Sequence, residues 1–326
     1  MESRRSFIGK ITKSAALSSI ALTPLASGLA EARSNRQKLI RIGIIGAENS
    51  HTAGYGRLFN VEKKFPGVEV RYVWGETEEF ARNAMKEGNI PEMVTDPLSM
   101  LGKIDALIVD HRHGKYHLQA AEPFVKAGIP TFIDKPFCYR VAEGKAFLAM
   151  AKKVGTPVSS YSSNAQNNTT YDIMDQIPSL GEFTHIISNG PADLDSEWGG
   201  IFFYGIHIVQ PVMFIFGEDI KKVRVTRAGK SATASMVFSN GRLATLVFRN
   251  LSYGWQTFVE TKNGMIELKS RVEETNPGKN YVDMVEMFRT GKEPLSHKSI
   301  LGPIAVLEAL EKSALTDNWE DVPSIT

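Results

Sequence analysis

Cysteine is nearly absent from this chain of 326 residues. Cys138 is the only one, so no internal disulfide can form. An excess of charge of either sign is also missing, with 38 Lys and Arg against 36 Asp and Glu. No basic stripe argues for nucleic acid, and no block of like charge argues for a solvated tail. Long apolar runs are lacking too. The N-terminal stretch "SAALSSIALTPLASGLA" is too short and too serine-rich for a good membrane span, and no later segment is long enough. There is no internal repeat, and the only biased segment is the polar run "SSNAQNNTT". These absences argue against nucleic acid and a membrane span as partners.

The N-terminus has its own pattern. "SRRSFIGK" carries paired arginines, an apolar region follows, and "AEA" at 30–32 offers small residues at a signal-peptidase spacing. Residues 1–32 therefore read as a twin-arginine export signal, and the mature protein is expected in the periplasm. Its removal takes away four basic and two acidic residues, leaving the remainder formally neutral. A basic tail of a cytosolic protein is the alternative. Twin-arginine export carries folded proteins, which suits a chain that must acquire a cytosolic cofactor before leaving.

From Lys38 to Ser160 apolar strand-like runs alternate with helical spacings. "LIRIGIIG", "VEVRYVWG", "IDALIVD", "PTFIDKPF" and "PVSSYS" are strands, and "AGYGRLFNVEKKF", "TEEFARNAMKEG", "KYHLQAAEPFVKAG" and "VAEGKAFLAMAKKVG" are helices. Gly88 is expected just beyond the end of the second helix. Such alternation predicts an α/β domain built on a doubly wound parallel sheet over 38–160. The second part, 161–326, changes character. "GEFTHIISNG", "IKKVRVTRAG", "TASMVFSNGRLATLVFRN" and "QTFVETKNGMIELKS" are strand-like, with Asn240-Gly241 and Asn263-Gly264 as hairpin turns. Two helices close the chain. This half reads as α+β, a large and mainly antiparallel open sheet with helices on one side.

"GIIGAENSH" (43–51) opens the first domain. Gly43 and Gly46 flank the strand end, and a phosphate-binding turn would want glycine at Glu48 and a small residue at His51. Glu48 sets a carboxylate where a diphosphate would lie. Two like charges ~4 Å apart repel by about 1 kcal/mol in water and several-fold more in a cleft. Asn49 and Ser50 still offer turn conformation and a helix cap. At the end of the second strand, where an acid would hold ribose hydroxyls, stand Trp74 and Gly75, then Glu76. Glu76 is either that ligand or a solvated helix-start residue.

"FIDKPF" carries more. Asp134-Lys135-Pro136 at a buried strand end resembles the E-K-P element of the Gfo/Idh/MocA (glucose-fructose oxidoreductase / inositol dehydrogenase) family. "IDALIVDHRHGKYHLQAA", "DKPFCYRVAEGKAFLAMAKKVG" and "FRTGKEPLS…LGPIAVLEALEKSA" extend the likeness over nearly all of the mature chain. The resemblance implies an N-terminal Rossmann domain, a second domain that forms substrate and oligomer contacts, and tightly bound NAD or NADP. It places Lys135 between nicotinamide and the substrate hydroxyl. The family's G-G-x-x-x-D-x-G-x-H-x-x-D element is similar to "GGIFFYGIHIVQ", which keeps Gly199, Gly200, Gly205 and His207 but has Phe203 and Gln210 at the acidic positions. By this likeness Lys135 and His207 are the catalytic pair. Gly43, Gly46, Asn49, Ser50, Glu76, Asp110, His113, Lys135 and Pro136 would hold the cofactor. Lys135, His207, Gln210 and Tyr204 would hold the substrate.

His113 and His117 in "DHRHGKYH" have the i, i+4 spacing that puts two imidazoles on one helix face, as zinc would use. The resemblance places this loop beside the nicotinamide ribose, so contact with cofactor or substrate is preferred and no metal is assigned. Arg249, Asn250, Tyr253 and Trp255 suit a sugar, or are ordinary surface and core of a sheet. The leading expectation is a nicotinamide-dependent oxidoreductase acting on a secondary alcohol of a sugar, cyclitol or glycoside, as a homo-oligomer. The alternatives are a redox-neutral glycoside-cleaving or eliminating enzyme with bound NAD, and a non-catalytic sugar-binding protein on the same fold.

Overall fold

The computed structural model describes residues 39–325. The export-signal expectation at 1–32, and Lys38, lie outside the described residues. The first part runs β1 (Ile40–Ile45), α1 (Ser50–Gly56), β2 (Val68–Trp74), α2 (Glu78–Gly88), β3 (Glu92–Met93), β4 (Ala106–Val109), α3 (His117–Lys126), β5 (Thr131–Ile133), α4 (Val141–Val154) and β6 (Val158–Ser159). All six strands are parallel, in the order β3-β2-β1-β4-β5-β6. β1 and β4 are the middle of the sheet. Ile42, Ile44 and all of β4 are fully buried, as a strand covered on both faces requires. The order reverses between β1 and β4, and the crevice outside their carboxyl ends is where such sheets bind ligands.

The second part adds α5 (Asn168–Gln176), β7 (Phe183–Pro191), α6 (Ile201–Phe216), β8 (Ile220–Ala228), β9 (Ser231–Phe238), β10 (Leu243–Arg249), β11 (Gln256–Thr261), β12 (Gly264–Glu267), α7 (Lys279–Thr290), α8 (His297–Thr316) and β13 (Glu320–Asp321). Its sheet has seven strands in the order β12-β11-β7-β10-β9-β8-β13. Only β7 and β10 pair parallel; every other pair is antiparallel. Both Asn-Gly dipeptides sit in hairpin connections, β9–β10 and β11–β12. β9 and β10 alternate buried and more exposed residues, the pattern of a sheet covered on one face.

Three details differ from the sequence expectation. The first helix is α-helical only to Gly56 and continues as a π turn over Arg57–Val61. Gly88 is the last residue of α2, and Asn89, at φ 50°, takes the left-handed cap instead. α7 does not cover the second sheet. Its Met284, Val285, Met287 and Phe288 join the core of Ile42, Ile44, Val70, Phe132 and Tyr161 on the parallel sheet. The other core is shared, with Ile45, Leu107 and Val109 in one cluster with Ile186, Leu246, α6 and α8.

Candidate active site

Gly46 ends β1 at φ 109°, a backbone state that favours glycine. A Cβ there would lie 2.5 Å from the Asp110 backbone, so β1 and β4 touch at this point. Gly43 is not in the turn. It lies inside β1, and Met100 and Ile104 pack where its side chain would be. The next two backbone N–H groups, of Ala47 and Glu48, both donate to Glu76 Oε2 at 2.9 Å. His111 Nδ1 lies 2.8 Å from Glu76 Oε1. Burial pushes this carboxyl up, but the bonds from His111, Ala47 and Glu48 outweigh it and bring it down to about 2. A carboxylate of the protein thus already binds the donors of the anion-binding turn. The Glu48 carboxyl is raised by partial burial and by Glu76, with Arg112 pulling it the other way.

Asn49 caps α1, accepting from His51 N. Its Nδ2 donates to Asp110 Oδ1 at 2.9 Å and to Asp134 Oδ2 at 3.3 Å. His51 Nδ1 is 3.2 Å from Asp134 Oδ2 and 3.9 Å from Asp110 Oδ1. The carboxylate of Asp134 raises His51 to about 9, so the ring is an imidazolium at neutral pH. Asp110 is fully buried at the end of β4, and burial and the charge of Asp134 push its carboxyl well up. Thr52 Oγ1 lies 2.6 Å from Asp110 Oδ2. His117 braces the two strand ends, its ring nitrogens each 2.8 Å from a carbonyl, Pro136 O and His111 O. Burial lowers His117 to about 4, so it is neutral and donates to only one of the two carbonyls. With a carbonyl oxygen against each nitrogen, the ring is not turned toward a shared metal with His113. His113 instead caps the turn at Gly114 and packs on Tyr116 and Tyr139.

Lys135 follows Asp134 and is buried. Its Nζ has no hydrogen-bonding partner among the described residues and lies 4.9 Å from the Phe203 ring centre and 5.7 Å from that of Tyr204. Both rings are on α6, which also carries His207. Burial, and then the charge of Lys135, hold His207 well below its ordinary range, so it is neutral. Its Nδ1 is 2.6 Å from Ser162 Oγ. Gln210, one turn on, spends its amide oxygen on Ser162 N at 2.7 Å. Gln210 was expected on the substrate; here it fixes the serine that fixes the histidine. Around this pair stand Tyr204 and Trp255, 5.6 and 5.9 Å from the His207 ring, and Tyr253 against Trp255. Arg112 lies over Trp198 at 4.5 Å and also faces Phe203.

The fold thus gathers Gly46, Asn49, Glu76, Asp110, Lys135 and Pro136 at the strand ends, and Tyr204, His207 and Gln210 on α6. Ser50 is exposed at the start of α1. Sequence reasoning did not single out Ser162, Thr52, Asp134 or His51 as site residues. Asp134 and His51 stand inside quoted motifs, where chemistry-bearing side chains at strand and helix ends were the available signal. Ser162 lay in the polar run, and nothing local marks it.

Residues 40–162 match the family model described as an oxidoreductase family with an NAD-binding Rossmann fold, Gfo/Idh/MocA. No curated protein matches the sequence significantly. Among solved structures, scyllo-inositol dehydrogenase from Lactobacillus casei is 17% identical, with a TM-score of 0.75 over 88% of this chain and 99% of its own. Myo-inositol dehydrogenase from Lactobacillus casei, solved with NAD(H) and myo-inositol, is 13% identical, with a TM-score of 0.71 over 88% and 97%. An oxidoreductase from Thermotoga maritima is 17% identical, with a TM-score of 0.75 over 89% and 100%. At these identities the likeness shows the fold.

Proposed function

We propose that the chain, whose residues 40–162 match the Gfo/Idh/MocA oxidoreductase family model, is an NAD-dependent oxidoreductase acting on a secondary alcohol of a sugar, cyclitol or glycoside, or on the corresponding ketone. The observation that carries this reading is the convergence of Lys135 and a neutral, serine-held His207 under an aromatic wall at the carboxyl ends of the parallel strands. The inositol dehydrogenases of the same fold support a polyol substrate.

The strand order and the close approach at Gly46 fit a dinucleotide across the switch point. Gly46, Asn49, Asp110, Lys135 and Pro136 would border it, and Glu76 would have to swing off the turn, where it could take ribose hydroxyls instead. The nicotinamide, when bound, takes or returns the hydride. The protein handles the proton. With Nδ1–H donating to Ser162 Oγ, His207 Nε2 has a free lone pair and takes the proton of the substrate hydroxyl. Lys135 Nζ, a donor only, holds the substrate oxygen as charge builds on it. Phe203 and Tyr204 keep water from that ammonium, and Tyr204 borders the sugar ring.

One observation favours a second reading, either redox-neutral chemistry with retained NAD or sugar binding without catalysis. The Glu76 carboxylate sits on the turn, and Glu48 adds a second negative charge beside it. The first experiment denatures purified protein and measures released NAD(H) and NADP(H) by mass spectrometry. Stoichiometric NAD, with turnover of a polyol panel abolished in Lys135→Ala, supports the oxidoreductase. Protein that carries none and binds none when it is added sinks it. An exported location and a homo-oligomer belong to the same proposal, and cell fractionation and light scattering test them.

A further inference from the structure

Three potential metal ligands converge at the strand ends, from three separate elements. His51 Nδ1 comes from the first turn of α1, Asp110 Oδ1 from the end of β4 and Asp134 Oδ2 from the end of β5. One ligand atom of each lies within 4.8 Å of the other two. His51 Nδ1 stands 3.2 Å from Asp134 Oδ2 and 3.9 Å from Asp110 Oδ1. Bonds of about 2.0–2.2 Å to one ion put neighbouring ligand atoms roughly 3–3.5 Å apart, so small side-chain shifts close the set. This is not a patch of surface acids. Asp110 and Asp134 are 0% and 4% exposed, and such a pair is not left without positive charge close by.

We propose that His51, Asp110 and Asp134 form a divalent metal site at the crevice. The inference does not depend on a dinucleotide being bound. One imidazole and two carboxylates are a mixed borderline and hard set, which suits zinc or manganese rather than copper(I) or calcium. The outer contacts are those of a held ligand set. Thr52 Oγ1 reaches the second oxygen of Asp110 at 2.6 Å, and the Asn49 amide touches both carboxylates. Lys135 brings positive charge from the next residue, but its Nζ is directed to Phe203 and Tyr204. Three protein ligands are the number that leaves a coordination position open. The His51 side chain is 44% exposed, so solvent and small molecules reach this edge of the cluster. An alcohol or phosphate oxygen of a bound molecule could fill the open position. In the metal-free protein the imidazolium of His51 supplies the positive charge, and the ion displaces its proton.

The test strips the purified full chain with EDTA. It then titrates with MnCl2 and ZnCl2 by calorimetry, with the Mn2+ paramagnetic resonance signal counting free ion. No dinucleotide is added, so the outcome is independent of the oxidoreductase reading. One ion per chain with Kd at or below about 10 µM is expected. His51→Ala and Asp134→Asn should each weaken binding by more than about tenfold, since losing an outer partner alone typically costs that much. Thr52→Val should weaken it by roughly 10–100-fold. His297→Ala, at the far-off pair with Glu293, should bind as the parent does. If Asp134→Asn does not fold by circular dichroism, His51→Ala decides, because its half-exposed ring carries little of the core. Absence of binding up to millimolar ion, or equal binding in parent and His51→Ala, overturns the proposal and leaves the imidazolium as the cation that the aspartates hold.

Discussion

At the scale of single residues, charge governs this crevice. His51 is raised from 6.5 to about 9 by Asp134. A group with a raised folded-state value stabilises fully below its unfolded value and loses that contribution as pH rises through the folded one. Metal-free protein should therefore melt at falling temperature between pH 7 and pH 9, and His51→Gln should flatten that decline. Calorimetric scans across the range check it. Glu76 behaves in the opposite sense. It is lowered from 4.5 to about 2, so its contribution is present above 4.5 and disappears as pH falls toward 2. Glu48→Gly removes one of the two charges at the turn and restores the glycine expected there. NAD affinity, read by calorimetry, should improve by about 1 kcal/mol, close to a fivefold lower Kd. Lys135 and His207 were legible at this scale because a lysine ending an apolar strand and a histidine among matching glycines are local signals. Ser162 was not. It is 45 residues from His207, and only tertiary packing brings them to 2.6 Å.

At the scale of elements, the register of α6 sets the relation between Tyr204, His207 and Gln210, spaced by three, while β5 supplies Lys135. Ser162→Ala should leave the fold intact and unlock the His207 ring. A fall in kcat of roughly tenfold with KM little changed would mark Ser162 as a positioning residue. A rise in KM with kcat unchanged would contradict that role. The hairpins of the second sheet were readable from Asn-Gly pairs with apolar alternation on both sides. The place of α7 was not. Its amphipathic spacing says that one face is buried but not against which sheet, and the partner residues Ile42, Ile44 and Val70 lie more than 200 positions away. Phe288→Ala should cost about 3–5 kcal/mol, and local opening should appear first in β1 and β2. Native-state hydrogen exchange, sped up more in β1 and β2 than in β9 and β10, checks it.

At the scale of the whole molecule, the parallel sheet and the mainly antiparallel sheet expected from the sequence are both present, and their cores are shared. The change from alternating strands and helices to hairpins marks the sheet boundary near Ser160. Yet α7 returns to the first sheet, and one apolar cluster includes Ile45 and Leu107 of the first sheet with Ile186 and Leu246 of the second. Residues linked in this way should unfold together. A single calorimetric transition, with van't Hoff and measured enthalpies equal, is expected for 39–325, and two separated transitions would show that the shared core does not couple the halves.

The carboxylate of Glu76 on the turn has a kinetic consequence. An anion arriving at Ala47 and Glu48 meets a seat already taken, so its capture is a substitution. Exchange of that kind is gated by the departure of the resident group. The observed rate of NAD association should climb with concentration and then level off at the rate at which Glu76 leaves, whereas Glu76→Ala should show no plateau.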